Sequence, residues 1–370
     1  MQTFVRATIV AFAAALLAAC GTHGSGDASS AKVLNLYIWS NYLAPDTLSN
    51  FQKRTGIKVN VSYYDTNETL ETKLLAGHSG YDVVVPTSSY FARQIEAGVY
   101  QRLDKSKLPN LKNLDPRLMA RVQEFDPGNA HGVIYMWGTD GIGYNPKMVE
   151  AAMPNAPVDS WRMIFDPTVA AKLSKCGISV LDTPADVVRA VLSYLGRNPN
   201  SQSPADLDAA EAVLMKVRPY IRNINSSEYI QALANGDLCV ALGYNGDVMQ
   251  ARDRAREAKN GIDVRYVVPK EGSVLWFDML AIPKDAPHPA SAYAFINYMM
   301  DPKVIAEVSN YKRYANANAA AQPYVREDVK SNPAIYPTAE QIHDLAVQLA
   351  DTPAHTRALT RMWERFKTGR

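Results

Sequence analysis

The stretch "VLNLYIWSNYLAPDTLSNFQKRTGIKVNVSYY", Val33 to Tyr64, changes periodicity twice, and the rest of the chain is read outward from it. "VLNLYIW" is an apolar run of strand length. Pro45 presets the backbone for the first turn of a helix that carries Leu48 and Phe51 on one face and stops at Gly56. In "IKVNVSYY", Ile57, Val59, Val61 and Tyr63 alternate with polar partners, which predicts a strand. The pattern then repeats: "NETLETKLLAG" predicts a short helix with Leu70, Leu74 and Leu75 inward and Gly77 as the stop, and "YDVVVP" a buried strand ended by Pro86. Strand, helix, strand, helix, strand requires a parallel sheet with crossover helices, an α/β fold.

In open α/β sheets, ligands bind beyond the carboxyl ends of the strands, and both Trp39–Tyr42 and Pro86–Ser89 lie at such ends. Large aromatics at a strand-to-helix corner either line a cleft or cap the core, and this segment alone leaves both readings open. The same grammar recurs in "LCVALGYNGDV", where a strand from Leu238 to Leu242 leads through Tyr244, Asn245, Gly246 and Asp247 into a helix. In "VLWFDMLAIP", Asp278 stands between Phe277 and Met279, where an ionised carboxylate is costly unless paired or hydrogen-bonded. It asks for a cation, from a ligand or from an internal salt bridge. Asp247 reads either as a second such acid or as a helix N-cap, and Asp186 in "SVLDTPADVV" as a third or as an exposed acid in a first helical turn.

At the amino end, Arg6 precedes an apolar run from Ala7 to Leu17 and then "LAAC". That is a secretory signal over residues 1–19, too short to span a bilayer, which takes about 20 apolar residues. Leu17, Ala18 and Ala19 before Cys20 resemble a bacterial lipobox, which makes Cys20 the expected lipid carrier, and residues 20–32 are a Gly/Ser-rich tether. The mature chain of about 350 residues exceeds what one core usually serves, so two domains are expected. Charged residues make up 21% with a formal net charge of +2 and no long block of one sign, so nothing directs the chain to nucleic acid or to an anionic membrane surface. In an exported chain, Cys176 and Cys239 favour a disulfide over two buried thiols. His23, His78, His131, His288, His343 and His355 form no metal-like spacing, no nucleophile elbow, P-loop or CxxC is present, and "GTDGIGYN" lacks a dinucleotide fingerprint. No catalytic residue, cofactor or metal is expected.

The blocks "YIWSNYLAPDTLSNFQKRTGIKV" (37–59), "GYDVVVPTSSYFARQ" (80–94), "YMWGTDGIGYN" (135–145), "ANGDLCVALGYNGDV" (234–248) and "RYANANAAA" (313–321) closely resemble the periplasmic putrescine/spermidine-binding proteins of polyamine ABC transporters, in order and with similar spacing. The resemblance implies a two-lobed periplasmic binding protein fold (type II), each lobe a mainly parallel sheet flanked by helices, with the ligand in the interlobe cleft. It implies lobe 1 as residues 33–137 plus 265–317 and lobe 2 as residues 138–264 plus 318–370, with a first crossing near Trp137–Tyr144. The implied protein is a periplasmic monomer, held to the membrane only by its lipid, that passes a polyamine to the permease subunits of an importer. Alternatives are a polyamine sensor of the same fold, or a carbohydrate-binding protein or enzyme using the same Trp and Asp residues.

Carried over position by position, the resemblance places the amine site on Trp39, Ser40, Asn41, Tyr42, Thr87, Asp186, Tyr244, Asp247, Trp276, Asp278 and Tyr314. The chemistry agrees, because methylenes between ammonium groups want aromatic faces along their length and carboxylates at their charged points. The chain departs from the expected putrescine pattern at four positions: Asn41 for Asp, Tyr244 for Trp, Asp186 for Glu, and Trp276 for Phe, the last as in spermidine binders. Asp186, Asp247 and Asp278 are left to neutralise a diamine or a triamine.

Overall fold

The computed structural model describes residues 32–369. Ten strands, β1 (Val33–Trp39), β2 (Lys58–Tyr64), β3 (Val83–Val84), β4 (Gly132–Tyr144), β5 (Ile178–Val180), β6 (Asn223–Ile224), β7 (Val240–Tyr244), β8 (Arg265–Val267), β9 (Val274–Ala281) and β10 (Ala346–Val347), join in the order β2-β1-β3-β9-β4-β7-β5-β6, with β10 on β9 and β8 on β4. The opening stretch folds as its periodicity requires: β1 runs parallel to both β2 and β3. Between β1 and β2, the helix Thr47–Thr55 buries Phe51 and ends at Gly56, whose φ of 70° is the left-handed cap that glycine favours. Pro45 lies just outside that helix rather than in its first turn. The next helix, Asn67–Leu75, buries Leu70 and Leu74 but leaves Leu75 exposed. Consecutive helical residues point about 100° apart, so only one of Leu74 and Leu75 can face the core.

The strand that organises the molecule is β4, buried along its whole length. Residues from Gly132 to Thr139 pair antiparallel with β9, and those from Asp140 to Tyr144 pair antiparallel with β7. One strand thus belongs to two half-sheets, and the handover falls between Thr139 and Asp140. It passes beneath Trp276 because residue 138 is glycine: a Cβ there would lie 2.5 Å from Cζ2 of Trp276. The sheets are mixed. The crossover strands pair parallel, and every antiparallel ladder involves β4 or β9.

Strand β8 pairs with the Asp140–Tyr144 half of β4. Beyond Tyr314 the chain stays with the first half-sheet: the turn Ala319–Tyr324 packs on the helix Pro302–Lys312 and β10 lies on β9. From there the segment Gln348–Asp351 reaches the helix Pro184–Tyr194 through Asp186 and Arg189, and the helix Pro353–Thr368 packs on both that helix and Pro204–Val217 of the second half. A disulfide joins Cys176 to Cys239, with Cα atoms 5.4 Å apart, just before β5 and β7.

Candidate functional site

Three aspartates gather at the junction of the half-sheets, and each receives a tyrosine hydroxyl: Tyr42 donates to Asp278 Oδ2 at 2.7 Å, Tyr314 to Asp247 Oδ1 at 2.6 Å, and Tyr244 to Asp186 Oδ2 at 2.8 Å. The rings are contiguous. Tyr42 meets Tyr314 at 5.6 Å between centroids, Tyr314 meets Trp276 at 5.4 Å, and Trp276 meets Tyr244 at 6.0 Å, all edge-on. The result is an aromatic arc with a carboxylate at three points along it.

Local sequence places each acid. Asp278 is central in β9, and strand alternation sends its neighbour Phe277 the other way, against Phe125. Asp186 and Asp247 sit in the first turns of the helices Pro184–Tyr194 and Asn245–Ala258. The N-cap position of the latter is Tyr244, so Asp247 does not cap it. Gly246 admits the Tyr314 ring, since a Cβ there would lie 2.5 Å from Cδ1 of that ring. Second donors complete the set: Thr87 Oγ1 to Asp278 Oδ1 at 2.6 Å, Tyr229 to Asp247 Oδ2 at 2.9 Å, and the Gln348 amide to Asp186 Oδ1.

Among the described residues none of the three acids forms a salt bridge. Burial pushes the carboxyls of Asp186 and Asp278 up to about 6 and raises that of Asp247; the charge of Arg189 and then the Tyr244 and Gln348 donors pull Asp186 down, and the hydroxyl donors pull down the other two. Burial and the neighbouring carboxylates also push the phenols of Tyr42, Tyr244 and Tyr314 well above their usual range, so they remain neutral donors. Buried carboxylates held by neutral donors, facing aromatic rings and without a salt-bridge partner among the described residues, can bind an organic cation. Among the described residues no group of three or more His, Cys, Asp or Glu is arranged to hold a metal ion.

Of the expected residues, Tyr42, Thr87, Asp186, Tyr244, Asp247, Trp276, Asp278 and Tyr314 therefore come together. Trp39 is half-buried behind them, its indole donating to the Val85 carbonyl at 2.9 Å and its ring 4.7 Å from that of Tyr64. Ser40 is exposed and its backbone N–H donates to the Tyr64 carbonyl, with no side-chain hydrogen bond among the described residues. Asn41, also exposed, has φ of 56°, a left-handed conformation that Asn tolerates, and its Oδ1 accepts from Lys312 Nζ at 2.5 Å.

Tyr229, Gln348, Lys312 and Asp140 were not foreseen. Asp140 pairs across β4 and β7 with Tyr244, is 1% exposed, and neither of its carboxylate oxygens has a hydrogen-bond partner among the described residues. Burial above all, and then the charge of Asp186, push its carboxyl well above the usual range, against the pull of Arg189 and of the nearby Trp276 indole N–H. The reasoning that singled out Asp278, a carboxylate within an apolar run, applies equally to "YMWGTDGIGY" and would have found it.

Residues 47–338 match the family described as bacterial extracellular solute-binding protein. The chain is 52% identical over 358 residues to the putrescine-binding periplasmic protein SpuD of Pseudomonas aeruginosa, covering 96% of this chain and 97% of that one. It is 50% identical over 345 residues to the putrescine-binding periplasmic protein PotF of Escherichia coli, covering 93% of each. A solved structure described as a putative spermidine/putrescine ABC transporter from Listeria monocytogenes superposes with a TM-score of 0.82 at 32% identity, over 92% of this chain and 100% of that one.

Proposed function

This chain belongs to the bacterial extracellular solute-binding protein family, and on that premise we propose that it captures a polyamine of the putrescine/spermidine class and presents it to the permease of an ABC importer. The observation that carries this reading is the set of three buried Tyr–Asp pairs on one continuous aromatic arc, without a salt bridge to any of the three acids among the described residues. An ammonium over a tyrosine or tryptophan face gains about 0.5–2 kcal/mol. The carboxylates must supply the rest, because closing the cleft strips water from each charge.

The two half-sheets are the two lobes of this proposal, and β4 is one strand of the hinge. Asp278 stands on the first lobe and Asp186 and Asp247 on the second. Tyr314 donating to Asp247 and Gln348 donating to Asp186 both reach from the first lobe's elements to the second's, so the same acids that bind the ligand also hold the cleft shut. The protein acts in the periplasm, catalyses nothing, and is anchored through a lipid on Cys20, which lies outside the described residues. Among the described residues, no helix is long and apolar enough to cross a membrane.

Calorimetric titration of the purified mature protein with putrescine, spermidine and maltose tests this. Saturable binding of one amine per chain, with no heat from maltose, is the expected result; binding of maltose, or of neither amine, would overturn the proposal. Cys20→Ser should move the protein from the membrane fraction to the soluble periplasm without altering amine affinity, and an unchanged distribution would remove the anchor.

A further inference from the structure

Lys312 ends the helix Pro302–Lys312 and is 2% exposed. Its Nζ donates to Asn41 Oδ1 at 2.5 Å and lies 4.8 Å from the centroid of the Tyr311 ring. Two residues later, Tyr314 donates to Asp247. The charged groups that act on the Lys312 ammonium are Asp247, which favours it, and Arg254, which opposes it, and burial outweighs both. Among the described residues Lys312 forms no salt bridge, and its near neighbour Arg313 takes Asp253 and Asp328 instead.

An ammonium has three N–H donors, and a buried one held by a single neutral amide is costly. Asn41 adjoins Tyr42 and Lys312 lies two residues before Tyr314, and the rings of these two tyrosines meet at 5.6 Å, so the cleft that asks for cations at Asp186 and Asp278 already has one beside its Tyr42–Tyr314 end, where the charge of Asp247 acts on it. A free diamine lying along the arc would bring its second ammonium towards this resident charge. A ligand ending in a carbonyl would instead give the Lys312 ammonium an acceptor. A carboxylate would meet Asp247 on the same side, so the favoured end is neutral.

We propose that Lys312 is a specificity-determining residue, a resident ammonium that makes this cleft prefer a diamine acylated or carbamoylated at one end over the free diamine. The free ammonium of such a ligand sits between Asp186 and Asp278, and its amide or urea carbonyl accepts from Lys312. The proposal rests on the reading of the cleft as a polyamine site and narrows the ligand class within it.

The test is titration of the mature protein and of Lys312→Met, Lys312→Gln and Lys312→Arg with putrescine and with N-acetylputrescine, with thermal melts as a check on folding. The native protein should favour N-acetylputrescine by about tenfold. Lys312→Met and Lys312→Gln, which lack the charge, should reverse that order, and Lys312→Arg, which keeps it, should preserve it. Should Lys312→Met fail to fold, Lys312→Gln decides. A ratio of the two affinities that stays within about twofold of native in the uncharged variants, or a native preference for putrescine, would overturn the proposal while leaving polyamine binding intact. A native protein that binds neither amine would overturn both.

Discussion

The Tyr42 hydroxyl donates to Asp278 Oδ2 at 2.7 Å across 236 positions of sequence, while Thr87 holds the other carboxylate oxygen at 2.6 Å. The two hydroxyls fix the carboxylate and partly replace the water it lost on burial. A hydrogen bond to a charged group contributes about 1.5–3 kcal/mol, so Tyr42→Phe should weaken amine binding by about tenfold or more. Titration of the variant checks this; affinity within about twofold of native would mean that Tyr42 only packs.

Affinity should also fall in acid. Asp186 and Asp278, pushed up to about 6, must be ionised to hold an ammonium, so binding weakens as pH drops through 6, by up to about tenfold per pH unit for each proton released. In the unliganded chain the sign is opposite. Acids whose folded values lie above their unfolded ones, about 4, lose stability as pH rises from there to 6, and ligand recovers it. Titrations at pH 5 and pH 7.5, paired with melts with and without putrescine, read both slopes; a pH-independent affinity would contradict the burial of these acids.

Asp140 gives a second pH signature. Its carboxyl is raised by burial and has no partner among the described residues, so it costs stability at every pH above its unfolded value. Asp140→Asn should be more stable than native at pH 7 by about 1 kcal/mol or more, with the difference vanishing near pH 4. Denaturant melts at the two pH values measure it. A variant less stable at pH 7 would show that the ionised carboxylate is compensated.

The disulfide between Cys176 and Cys239 closes a separation of 63 residues and ties the chain just before β5 to the chain just before β7. Loop-closure arguments give about 4 kcal/mol for a ring of this size. Cys176→Ala/Cys239→Ala should lower the unfolding free energy by roughly that amount and leave amine affinity nearly unchanged, because neither sulfur touches the acids. Two free thiols titrated in the unfolded, unreduced protein would contradict the bond.

The parts of this architecture legible in sequence are those governed by local pattern. The β1–β2–β3 crossover unit follows from alternation and helical spacing, and Asp278 stood out because its neighbours are apolar. What stayed hidden depends on distant partners. Side-chain alternation is the same whichever way a strand runs, so nothing in "GVIYMWGTDGIGY" indicates that β4 is antiparallel to both β9 and β7 or is shared by two half-sheets. Nothing around Asn41 in sequence points to Lys312, whose Nζ donates to the Asn41 amide oxygen from 271 positions away. Gln348 reaches Asp186 across 162 positions. Asp140 hides among glycines, and its burial comes from the ladders that β4 makes with β9 and β7 rather than from its own neighbours in sequence.

The central claim, that cations are held by the acids on the aromatic arc, is tested most directly by calorimetric titration of putrescine into the native protein, Asp278→Asn, Asp247→Asn and, as a control, Phe277→Leu. Each Asp→Asn change leaves a desolvated ammonium under-compensated and should cost about 2–5 kcal/mol of binding free energy. Phe277→Leu, on the opposite face of β9, should lower the melting temperature and leave affinity within about twofold of native. Native-like affinity in both Asp variants would contradict the account.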